Sequence, residues 1–106
     1  MDTPKELARI LESNFNIKLP SGELDTDSAF YKYLQKALAE RIKHFIRTDI
    51  DKLLQALYRI DINDELSDEA FNLGEIGKVS EKLAELIILR QIKKIEYSKN
   101  YNKDYE

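Results

Sequence analysis

Residues 57–65, LYRIDINDE, hold the densest set of groups in the chain that could do chemistry. Asp61, Asn63 and Glu65 alternate as the first oxygen ligands of a calcium loop do. Such a loop also needs glycine at its sixth position, for the sharp turn, and a bidentate glutamate at its twelfth. Counted from Asp61, those places hold Leu66 and Asn72; counted from Asp25, the sixth is Phe30. Both frames fail, so calcium chemistry is set aside. His44 is the single histidine, and there is no cysteine. One copy of the chain therefore cannot build a metal site that needs two or three histidines, a Glu-x-x-His di-iron pair, cysteine-ligated zinc, an iron–sulfur cluster or a thiol nucleophile. No cofactor is expected. Glu40 precedes His44 by one helical turn, which predicts a surface pair rather than a catalytic dyad.

Three other patterns carry chemistry. Glu81 and Glu85 lie one turn apart, so both carboxylates share a helix face that could hold Mg²⁺. All-α nucleoside triphosphate pyrophosphohydrolases are about this size, but they use Glu-x-x-Glu with a later Glu-x-x-Asp on long helices. Here only Glu65-x-x-Asp68 has such a spacing, in a short segment. A Mg-dependent nucleotide phosphohydrolase is kept as an alternative, with a solvated face as the main expectation. Gly74-Glu75-Ile76-Gly77 has the spacing of a nucleotide-clamping GxxG loop, which needs a three-stranded sheet beside it. No sheet is readable, so both glycines are expected at helix ends with positive φ. In the tail KKIEYSKNYNKDYE, Tyr97, Tyr101 and Tyr105 recur among Lys93, Lys94, Lys99 and Lys103. Stacking plus charge could bind single-stranded nucleic acid, and that is a second alternative. Glu96, Asp104 and Glu106 blunt the charge, and lysines suit a helix C-terminus anyway. Residues 98–106 are read as a frayed tail.

The elements that must position these groups are helices. Only 3 Gly and 2 Pro punctuate 106 residues, and period-2 alternation never extends beyond residues 60–62. Thr3, Pro4 and Glu6 form a capping-box start; Leu7, Ile10, Leu11 and Phe15 follow, with a stop near Asn14. Pro20-Ser21-Gly22 marks the main turn. A second helix runs from Thr26 or Asp27 to about Arg47, with Phe30, Leu34, Ala37, Leu38, Ile42 and Phe45 inward. Thr48 or Asp49 can cap a third that carries Ile50, Leu53, Leu54, Leu57 and Tyr58, although Ile42, Ile46, Ile50, Leu53 and Leu57 keep phase as though the helix were continuous. Two helices are favoured, because one of roughly 34 residues is long for a small domain. Asn63 can cap a short helix from Asp64 to about Asn72. Gly77 or Ser80 opens the last helix, with Val79, Leu83, Leu86, Ile87, Ile92 and Ile95. The fold class is all-α, a small antiparallel bundle of four main helices plus the short extra one, in a single domain over residues 1–106.

Charge is uneven along the chain. Residues 1–46 hold 7 basic and 7 acidic side chains, residues 47–81 hold 4 and 9, and residues 82–106 hold 6 and 4. An acidic middle argues against a nucleic-acid backbone there. The longest apolar run is Leu86-Ile87-Ile88-Leu89, too short to span a membrane. A cytoplasmic location is expected.

LYRIDINDE itself reads best as a helix stop. Leu57 and Ile60 would face the core, with Tyr58 along its edge and Arg59 near the negative end of the dipole. Asp61 would pair with Arg59, Arg90 or Lys94 to fix register, Ile62 would pin the turn, and Asn63 would cap the next helix. DIDKLLQALYRIDINDE, with the later LAELIILRQIKKIE, resembles a group of short uncharacterised bacterial all-α proteins with an LYRID-type helix end and an Ile-rich, Arg-Gln-containing last helix. The resemblance covers residues 49 to about 96. It implies a compact bacterial helical protein and carries over no activity and no functional residue. Tyr58, Arg59, Asp61 and Arg90 are its structural signature. The turn at residues 86–89 is apolar nearly all round, so Leu86, Ile88, Leu89 and Ile92 are the expected interaction surface. The expected function is non-enzymatic: binding a protein partner, or self-association.

Overall fold

The computed structural model describes the backbone of residues 3–17 and 28–104, and the side chains of residues 6–17 and 31–98. Five helices account for nearly all of it: α1 (Thr3–Phe15), α2 (Ser28–Thr48), α3 (Ile50–Arg59), α4 (Asp64–Phe71) and α5 (Ile76–Asp104). No strand occurs among the described residues. The Thr3 and Pro4 side chains, the Pro20-Ser21-Gly22 turn and Phe30 lie outside the described side chains.

One core holds the helices together. α1 contributes Leu7, Leu11 and Phe15, and α2 contributes Leu34, Leu38, Ile42 and Phe45. Leu53, Ala56 and Leu57 come from α3, Ala70 from α4, and Val79, Leu83, Ala84, Ile87, Ile88 and Ile95 from α5. α5 is the hub. It packs on α1, α2 and α4, most extensively on α2, which accounts for its broad apolar circumference. Gly77 and Ser80 of α5 line one cleft with Ala39 of α2.

The helix ends follow local chemistry. Asn16, at φ 54, ends α1 one residue beyond the expected Asn14; asparagine tolerates that left-handed conformation. A single residue, Asp49, separates α2 from α3. Its amide still donates to Phe45 O at 2.7 Å, while its carboxylate accepts from the Lys52 amide at 3.3 Å. A side chain that competes for a backbone amide breaks a helix without glycine or proline. Gly74 takes φ 85 after α4, as expected. Gly77 does not: it lies inside the first turn of α5, which begins at Ile76 rather than at Gly77 or Ser80, with the Val79 amide already bonded to Glu75 O at 2.8 Å. At the far end the backbone of α5 stays helical through Asp104, into the segment expected to fray.

Candidate functional site

The LYRIDINDE stretch closes α3 with a double hydrogen-bonded stop. The Asp61 amide donates to Tyr58 O at 3.2 Å and the Ile62 amide to Leu57 O at 3.0 Å. Asp61 itself is left-handed, at φ 62. This is the Schellman arrangement, with Asp61 where glycine is usual and with the apolar contact between its ends supplied by buried Leu57 and Ile62. Asn63 then caps α4, its side-chain oxygen accepting from the Leu66 amide at 2.8 Å. The α3 stop is tied to α5 twice. Buried Gln91 donates through Nε2 to Ile60 O at 2.8 Å, and Lys94 Nζ lies 3.0 Å from Asp61 Oδ2.

Several expected partners differ. Arg59 does not pair with Asp61: its Nε donates to Asn14 Oδ1 of α1 at 3.2 Å, because the left-handed turn at Asp61 points the carboxylate at α5. Arg90 is exposed, and its neighbour Gln91 turns inward instead. An uncharged amide can satisfy the orphan Ile60 carbonyl in the interior without burying a charge. Tyr58 is not an edge residue of the core but 84% exposed. Glu40 pairs with Lys43 at 3.6 Å rather than with His44. Glu81 is exposed, and Glu85 reaches Lys82 at 3.7 Å. No group of three or more His, Cys, Asp or Glu that could hold a metal ion forms among the described residues. In the tail, Lys93 and Tyr97 are exposed and Lys94 is held by Asp61; the side chains from Lys99 onward lie outside the described residues.

The expected interaction surface on α5 is largely consumed by the core. Ile88 is only 6% exposed, and Leu86 and Ile92 are half-buried against their neighbours; Leu89 alone stands out, at 52%. A ridge is present elsewhere. Ile50, Leu54 and Tyr58 are 39%, 47% and 84% exposed. They recur every four residues and so share one side of α3, next to buried Leu53 and Leu57. The sequence held the signal: apolar residues at both three- and four-residue steps give a stripe wider than one neighbour can cover.

No protein-family model, no curated protein and no solved structure matches the chain. No helix among the described residues is long and apolar enough to cross a membrane.

Proposed function

We propose that the protein acts by protein–protein contact and has no catalytic role, and that the ridge Ile50–Leu54–Tyr58 of α3 makes this contact with a second copy of the chain. The observation that carries the reading is the ridge itself, three large apolar side chains left in water on one helix. Such exposure costs solubility and favours association. A second copy fits because the ridge is evenly spaced about Leu54. A two-fold axis beside Leu54 sets two α3 helices antiparallel, with Leu54 on Leu54 and Ile50 against Tyr58, the self-complementary pattern of an isologous interface. Antiparallel pairing also lays each helix's positive end by the other's negative end.

Sedimentation velocity over a concentration series tests this. A dimer is expected, and Leu54→Glu should weaken it by about tenfold or more, since truncating or charging a central anchor costs upward of ~1.4 kcal/mol. Circular dichroism should show the variant folded, because Leu54 is outside the core. A wild-type monomer at every concentration, or a dimer indifferent to Leu54→Glu, defeats the proposal.

A further inference from the structure

We propose that the cleft where α1 ends against α2 and α3 binds a phosphate monoester carried by a small molecule. The cleft has a volume of about 230 Å³, and its lining includes Asn14, Asn16, Arg41, Lys52, Gln55 and Arg59. No described carboxylate lines it. Arg41, Lys52 and Arg59 form no ion pair with any described carboxylate.

The plain alternative is that the cations only serve the C-terminus of α1. They do serve it. Arg41 Nε donates to Phe15 O at 3.0 Å, and Arg59 Nε donates to Asn14 Oδ1 at 3.2 Å, while Asn14 Nδ2 donates to Ile10 O at 2.9 Å. A helix end, however, offers only about half a negative charge, against three cations. Among the described side chains, roughly two and a half positive charges are left over. A carboxylate supplies one negative charge; a phosphate monoester supplies about 1.5 to 2 near neutral pH.

Geometry favours the same ligand. Each guanidinium is anchored through Nε, and no hydrogen bond joins its Nη groups to a described residue. Arg41 is further held over the Phe45 ring, 4.8 Å from the centroid. Planar forks held in place match phosphate oxygens in paired hydrogen bonds. Gln55 and Asn16 bring neutral amides to the same space. The volume lies below the roughly 300 Å³ at which drug-sized ligand pockets begin, so it suits the phosphate group and a few attached atoms.

The test is an NMR titration of the full chain at low ionic strength with glycerol 3-phosphate, inorganic phosphate and acetate. The Nε–H signals of Arg41 and Arg59 should shift and saturate with glycerol 3-phosphate, with acetate weaker by about tenfold. Affinity should fall as the pH is lowered through about 6, where the ester takes up its second proton. Lys52→Gln combined with Arg59→Gln should weaken binding by about tenfold or more; Arg59→Lys, which keeps the charge but loses the fork, should weaken it several-fold. Leu54→Glu, on the other side of α3, should leave it unchanged. The absence of a saturable shift at either arginine, or undiminished binding in a folded double variant, overturns the site. Tighter binding of inorganic phosphate than of the ester overturns the ester assignment.

Discussion

Asp61 shows how much rests on one backbone angle. At φ 62 a residue other than glycine, asparagine or aspartate is strained, by roughly 1–2 kcal/mol. Asp61→Val should therefore lower the unfolding free energy by about that amount in urea titrations. Asp61→Asn keeps the tolerated conformation and loses only the exposed pair with Lys94, so its cost should stay below about 1 kcal/mol. Equal losses for the two would mean that the ion pair, not the angle, sets the stability of the joint. Gln91 is the buried counterpart. Gln91→Leu preserves the volume but strands the Ile60 carbonyl, and should cost about 1–3 kcal/mol. The sequence discloses Asn63 as a cap and Ile62 as a pin because both obey rules within four residues. It does not disclose Gln91 over Arg90. Neighbours on a helix differ by about 100° in direction, and which one faces inward depends on a carbonyl freed thirty-one residues earlier.

At the scale of elements, the α2–α3 break is the ambiguous junction. Apolar phase runs straight through it, and only the capping chemistry of Asp49 decides for two helices. Asp49→Ala should cost about 1 kcal/mol, the usual worth of such a cap. The inward face of α3 is only half readable. Leu53 and Leu57 are core, yet Ile50, Leu54 and Tyr58 share their apolar character and stay in water. Periodicity identifies an apolar stripe; it does not say how many neighbours are there to cover it. α5 presents the opposite case, where Ile88 looks available in the sequence and is covered because four other elements converge on this helix or its joints. Its contact with α2 holds the one described buried side-chain polar atom without a partner, Ser80 Oγ. Ser80→Ala removes that atom and improves helix propensity. A rise in thermal midpoint is expected; a fall would show that the hydroxyl has a bonding role.

The shape of the whole molecule is set by α5. A helix of 29 residues is about 44 Å long at 1.5 Å per residue, close to the 46 Å long axis of the molecule. The radius of gyration, 14.2 Å, exceeds the roughly 13 Å of a compact domain of this length, because the helix outruns the core built around it. Among the described side chains the last buried one on α5 is Ile95; Glu96, Tyr97 and Ser98 are exposed. Among the described side chains, burial on α5 therefore ends at residue 95 although the helix continues. Ending the chain after Ser98 keeps every described buried side chain of α5. Ending it before Lys94 removes Ile95 and the Asp61 pair together, and loss of the buried isoleucine alone should cost about 2–5 kcal/mol. Amide hydrogen exchange checks the same boundary without shortening the chain. Amides of residues 83–91 should exchange only by global unfolding, and those beyond residue 98 by local fraying. Protection extending undiminished to residue 104 would mean that the last turns are covered in solution, and the second copy proposed for α3 would then have to reach them as well.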